Sequence, residues 1–220
     1  MIPGIRTKGR WMLVVGLTGG VASGKTTVSQ ILQQEGAYLI DADRIARELV
    51  QPHTPTWSEL IRAFGKEILE KDDLINRKAL AAGVFSNPQK RRQLEEILHP
   101  QISKEIDRRI EEIRKKDPEA VVVVDAALLV ETGSYQRMDK LIVVTATEAQ
   151  QMERLGKRTG AEQKEAQGII SSQMPLAEKL KVADFIIRNE GALEETIQRA
   201  KEIFQELKTI ARHNGKNTTA

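Results

Sequence analysis

The chain has 220 residues, no cysteine, 34 Lys and Arg against 31 Asp and Glu, and a net charge of +3. Disulfides, thiolate metal sites and cysteine nucleophiles are excluded, and the length suits one α/β domain with a sizeable core. No apolar run approaches membrane-spanning length, and the basic clusters, such as Lys90-Arg91-Arg92 beside Glu95-Glu96, read as solvated helix faces rather than a nucleic-acid footprint.

Residues 1–11 are read as a disordered extension, with Met12 as an alternative start. Met12 to Leu17 is an apolar run that predicts a strand, and Thr26 to Leu32 places Val28, Ile31 and Leu32 on one helical face. Between them stands Gly19-Gly20-Val21-Ala22-Ser23-Gly24-Lys25-Thr26, which fits G-x-x-x-x-G-K-[ST]. Glycines let backbone N–H groups close around phosphate oxygens, and the following helix adds partial positive charge. Gly20, Val21, Ala22, Ser23, Gly24, Lys25, Thr26 and Thr27 are therefore expected to bind a nucleoside triphosphate, which the resemblance given below makes ATP. Lys25 reaches the β- and γ-phosphates in this pattern, and the Thr26 hydroxyl ligates Mg²⁺.

Ala37 to Ile40 predicts a second strand, ending at Asp41-Ala42-Asp43. In open parallel sheets ligands bind at that edge, so either aspartate is a candidate for the proton of an attacking hydroxyl or for a water-held metal. Helix capping by Asp41 is the competing use, and spacing alone does not separate the two. Residues 52–117 lack strand patterns and read as a helical insertion covering the acceptor, with Asn87-Pro88 opening a helix and Pro100 interrupting one.

Ala120 to Val124 is a buried strand pattern, and the Asp125 that ends it stands where a metal-assisting acid belongs. Glu131 follows in a loop and reads as a surface charge slightly more readily than as a site residue. Leu141 to Val144 is the fourth strand, and Thr147-Glu148-Ala149-Gln150 resembles a capping box opening a helix to Arg158. Arg154 and Arg158 share a face, suited to clamping phosphate or to pairing with Glu148 or Glu153. A polar loop over 159–165 starts a mobile lid at about 158–175. Lys179 reads as an ordinary exposed lysine. Phe185 to Ile187 is the last strand, an amphipathic helix ends near Ala211, and 212–220 reads as a disordered tail. Alternating strands and helices predict an α/β, three-layer P-loop NTPase-type fold with a parallel five-stranded sheet, formed by one domain over 12–211 with its core at about 12–50 and 118–211.

The ordered set of motifs resembles the dephospho-CoA kinase family over Leu13 to Leu207. It comprises Leu17-Thr18-Gly19-Gly20 with Lys25-Thr26-Thr27-Val28, Ile40-Asp41-Ala42-Asp43, and Arg77-Lys78-Ala79-Leu80. Leu98-His99-Pro100-Gln101-Ile102, Leu128-Leu129-Val130-Glu131, Gln173-Met174-Pro175-Leu176 with Lys179, and Ala183-Asp184 followed by Asn189-Glu190-Gly191 complete it. The resemblance implies transfer of the γ-phosphoryl of ATP to the 3′-hydroxyl of dephospho-CoA. Asp43 is then the carboxylate at the acceptor hydroxyl, with Lys25 and Arg154 catalytic beside it. Arg158 and Asn189 are implied at ATP, and Asp41, Arg77, His99, Leu128 and Glu131 at the acceptor. Mg²⁺ is the implied cofactor, on Thr26 with Asp43 or Asp125 through water. The chain is expected in the cytoplasm, as a monomer with a homo-oligomer as the alternative, without nucleic-acid or membrane partners. Ala127 stands where the family commonly has proline, Pro52-His53 where Pro-Gly is frequent, and Arg188 where aspartate is frequent. The competing readings are another small-molecule P-loop kinase, a nucleotide switch and a nucleic-acid-binding ATPase; a GTPase switch would need an N-K-x-D motif, which the chain lacks.

Overall fold

The computed structural model describes residues 12–85, 87–160 and 162–216. The expected extension over 1–11 and the last four residues lie outside them. The chain forms two compact units, one of residues up to Ile40 with those from Glu112 onward, the other Asp41–Glu111.

The first unit is built on a five-stranded parallel sheet in the order β2-β3-β1-β4-β5. The strands are β1 (Leu13–Gly19), β2 (Tyr38–Asp41), β3 (Val121–Asp125), β4 (Lys140–Thr145) and β5 (Phe185–Arg188). Sheets covered by crossover helices hide both faces of their central strands, which explains the valine run of β3 and the full burial of β1. Register places Leu17 opposite Asp125 and Gly19 opposite Val144, so the loop after β1 and the acid ending β3 leave the sheet at one edge. Helices α1 (Lys25–Gln34) and α9 (Leu193–Lys216) pack Val28, Leu32, Ile203, Phe204 and Leu207 onto Leu13, Val15, Val123 and Val144. The terminal helix continues past Ala211 to Lys216, where the sequence suggested a disordered tail. Its apolar stripe ends at Ala211, but a helix already nucleated and docked propagates through polar residues at little cost.

Between β4 and β5 lie α6 (Glu148–Thr159), α7 (Gln163–Ser171) and α8 (Leu176–Leu180). The capping box at Thr147 and Gln150 forms as read. The expected polar loop over 159–165 is shorter than its composition suggested. Gly160 ends α6 with φ 72°, and α7 starts at Gln163, with Ala166 buried. A left-handed glycine stops a helix without the Cβ penalty, so one residue is enough to turn the chain.

The second unit holds α2 (Ala42–Leu49), α3 (Pro55–Phe64), α4 (Arg77–Phe85) and most of α5 (Pro88–Lys116), around a small core of Leu60, Ile68, Ile75 and Ile97. Asn87 caps α5 through its side-chain oxygen, accepting from Gln89 and Lys90 N–H, and proline stands first in the helix. Pro100 does not interrupt α5, which runs unbroken for 29 residues. Proline removes one intrahelical hydrogen bond, a loss that buried positions on either side, Ile97 and Ile106, offset.

Candidate active site at the phosphate loop

Sequence sets the loop's shape through three glycines and one strained residue. A Cβ on Gly19 would stand 2.5 Å from the Val144 carbonyl oxygen and 2.7 Å from Ser23 Oγ. Gly24 has φ 92°, and a Cβ there would collide with Asn189 Nδ2. A Cβ on Gly20 would stand 3.2 Å from Gln151 Oε1. Ser23 N–H donates to Gly20 O at 3.1 Å, closing a tight turn in which Ala22 is held at φ 55°. A non-glycine residue in that region stores strain and persists only where its surroundings impose it. Gly24 also begins α1, which has no side-chain cap and no acid in its first turn. Its positive end is thus unneutralised by the protein, as an anion site requires.

Three residues distant in sequence brace this loop from outside. Asn189, 8 % exposed, donates Nδ2–H to Ser23 O at 2.9 Å and accepts from Thr196 Oγ1 at 3.1 Å. Arg154 donates from Nη2 to Asn189 O at 3.0 Å and reaches the Ala22 and Ser23 carbonyls from Nη1 at 3.5 and 3.4 Å. Val21 N–H donates to Gln173 Oε1 at 2.8 Å. Arg154 is therefore not paired with Glu148 or Glu153, the ordinary surface alternative. Glu153 takes Lys157 instead, and Arg158 on the same helix is exposed.

Lys25 forms an ion pair with the buried Asp125, which brings the loop's cation to the acid that ends β3. Thr18 Oγ1 donates to Ala127 O at 2.9 Å and fixes the chain just beyond that acid. Lys179 departs most from the sequence reading. It is 1 % exposed, its Nζ stands 2.6 Å from Glu131 Oε1, and it donates to Ala127 O at 3.3 Å. Glu131 is likewise no surface charge, because both carboxylate oxygens are out of solvent. The contact is a close ion pair rather than an aligned hydrogen bond, since neither oxygen has a donor in line. A charged side chain survives burial only when paired, so each residue accounts for the other. Leu128, three residues before Glu131, is 48 % exposed.

The remaining expected residues lie in the Asp41–Glu111 unit. Asp41 caps α2, accepting from Arg44 N–H at 2.9 Å, and Asp43 stands exposed in the helix's first turn. Glu48 at the other end of α2 pairs with Arg44 at 2.8 Å and with Arg109 of α5, which also takes Glu105 at 2.9 Å. The Arg108 guanidinium, with Arg109 behind it, holds the Glu105 carboxyl at about 2, well below its ordinary 4.5, against the opposing effect of burial. Glu48 is also lowered, by Arg109 and then Arg44. Arg77 opens α4, and His99 sits mid-helix in α5; both are exposed.

A strand, a glycine-rich turn and an uncapped helix on a parallel sheet, with the loop lysine against a strand-end acid, define a P-loop nucleotide-binding fold, and the family match places it among the P-loop kinases. Within that class the chain belongs to the dephospho-CoA kinase family, whose model matches residues 13–195. It is 46 % identical to the dephospho-CoA kinase of Geobacter metallireducens over 195 residues, covering 89 % of this chain and 96 % of that one. Among solved structures it is similar to TT1252 from Thermus thermophilus, 30 % identical with a TM-score of 0.77 over 89 % of this chain and 97 % of that one. It also resembles the dephospho-CoA kinase from Campylobacter jejuni, 27 % identical with a TM-score of 0.61 over 90 % and 98 %.

Proposed function

We propose that this chain transfers the γ-phosphoryl group of ATP to the ribose 3′-hydroxyl of dephospho-CoA, giving coenzyme A and ADP. The match to the dephospho-CoA kinase family carries the reading, because residues 13–195 include the phosphate loop, the whole helical unit and the segment holding Gln173 and Asn189. Phosphoryl transfer asks the protein mainly for placement and for compensation of spreading negative charge. The loop amides and the open end of α1 hold the phosphates. Lys25 exchanges Asp125 for the phosphoryl group, and Arg154 steadies the loop while keeping N–H groups free to turn toward it. Asp43 takes the proton of the acceptor hydroxyl. The helical unit, with Arg77 and His99, and the Leu128–Glu131 loop hold the acceptor. The α7 segment closes as a lid and keeps water out, which limits wasteful ATP hydrolysis.

The residues that fit Mg²⁺ are Thr26, exposed at the head of α1, with Asp43 or Asp125 through water. All offer hard oxygen donors. Among the described residues no group of three His, Cys, Asp or Glu forms a ready cage, which suits an ion that keeps waters and phosphate oxygens as its main ligands. When bound it supplies charge compensation at the β- and γ-phosphates. No helix among the described residues is long and apolar enough to cross a membrane. The setting that goes with this reading is the cytoplasm, with the chain acting as a monomer.

ADP release from ATP across 3′-dephospho-CoA, AMP and adenosine tests the assignment. Turnover is expected with dephospho-CoA; activity confined to AMP would overturn it.

A further inference from the structure

Val21 N–H lies inside the phosphate loop, yet its hydrogen bond goes to a side chain 152 positions away, Gln173 Oε1 at 2.8 Å. A backbone N–H can only donate, so the carboxamide oxygen must be the atom facing it. Gln173 lies between α7 and α8 and lines a cavity of about 370 Å³ that reaches the loop at Gly20. Gln151 and Gln167 also line it, and its charged lining residues are Glu148 and the buried Lys179. Glu148 accepts from Gln167 Nε2 at 2.5 Å. The loop therefore has two flanks. Gly24 to Thr26 open α1, with Lys25 turned to Asp125, while Gly20 and Val21 adjoin the cavity and the α7–α8 segment.

A neutral amide is a particular choice for this place. It accepts the Val21 N–H as a carboxylate would, but sets no negative charge against a loop that receives phosphates. The chain also holds Ala22, next to Val21, in a strained conformation, and strain persists only when neighbours over-determine it. Gln173 binds the adjacent Val21 N–H, and Arg154 reaches the Ala22 carbonyl.

The geometry points to Gln173 as a positioning residue for the transferred phosphoryl group. Acting through the Val21 N–H, it fixes the cavity-side flank of the phosphate loop and ties it to the α7–α8 segment. The inference rests on the kinase reading above for the identity of the reaction, but not for the binding measurements that test it.

Two variants separate shape from hydrogen bonding. Gln173→Met keeps the length of the side chain and removes the acceptor. It is expected to lower kcat about tenfold while KM for ATP stays within roughly threefold, with thermal stability close to wild type. Gln173→Glu keeps the acceptor and adds a charge at the flank proposed to position the terminal phosphoryl. Its affinity for a non-hydrolysable ATP analogue should fall about tenfold more than its affinity for ADP. A Gln173→Met enzyme with kcat within about twofold of wild type would overturn the proposal. So would equal weakening of ADP and analogue in Gln173→Glu, which also decides the matter if the methionine variant does not fold. A wild-type protein that binds both nucleotides but leaves dephospho-CoA untouched would refute the assigned reaction, and the ADP-to-analogue comparison would then judge Gln173 alone.

Discussion

Around the phosphate loop, Ser23 O takes an amide N–H from the buried Asn189, Val21 N–H gives to the Gln173 carboxamide, and both charged pairs, Lys25–Asp125 and Lys179–Glu131, are largely shielded from water. In the Asp41–Glu111 unit, α2, which carries Asp43, is held to α5 by Glu48 and Arg109 on the surface, beside Glu105 and Arg108. The first arrangement fixes backbone atoms to within a hydrogen bond and leaves little freedom. The second uses long side chains in high dielectric, where each pair contributes little, and α2 is seated mainly by its buried Ala42 and Ile45. The difference teaches where the fold keeps polar groups dry and backbone-bound, at the phosphate loop, and where it leaves them in exchange with water, on the surface of the unit proposed to receive the acceptor.

Substitutions in the two regions should therefore differ in kind. Lys25→Ala removes the loop's cation and is expected to lower kcat/KM by roughly three orders of magnitude or more. On the acceptor side, Asp43→Asn should lose far more rate than Asp41→Asn, whose carboxylate serves as a helix cap. Equal, mild losses in both aspartate variants, read in the same steady-state assay, would sink the assignment of Asp43.

Lys179→Met strands the Glu131 carboxylate in a dry site. Breaking a buried pair from one side costs about 3 kcal/mol, to be read by denaturant unfolding, and Lys179→Met combined with Glu131→Gln should recover much of it. Gly24→Ala meets both a left-handed backbone and Asn189, an expected loss of roughly 1–3 kcal/mol accompanied by weaker nucleotide binding. Asn189→Ala in the same background should relieve the collision but not the backbone strain.

The smallest effect belongs to the surface network. Glu105 is held at about 2 by Arg108 and Arg109. A depressed folded-state pKa contributes stability that is present above the unfolded value near 4.5 and is lost as pH falls toward 2. Glu105→Gln should flatten that part of the acid limb in thermal melts from pH 5 to pH 2. If the limb is unchanged, the network contributes nothing measurable and the contrast between the two regions is sharper still.

Much of this architecture follows from short-range pattern. The G-x-x-x-x-G-K-[ST] loop, the five apolar strand runs, the cap at Asn87 and the capping box at Thr147 each depend on residues a few positions apart, and propensity and periodicity act over that range. Pro100 shows the limit of local rules. A residue that breaks an isolated helix is carried inside α5, because the flanking turns are packed. The family motifs mark Glu131 and Gln173, but nothing local marks the Lys179–Glu131 pair or the Gln173–Val21 bond. A lysine reads as exposed until the fold sets a carboxylate beside it, and the partner of Gln173 is a backbone N–H 152 positions away. Sequence by itself determined the phosphate loop, the order of strands and helices along the chain, and the family to which they belong. Tertiary structure decided which polar groups are dry, since burial and pairing depend on chain segments that meet only when the sheet closes and its helices dock.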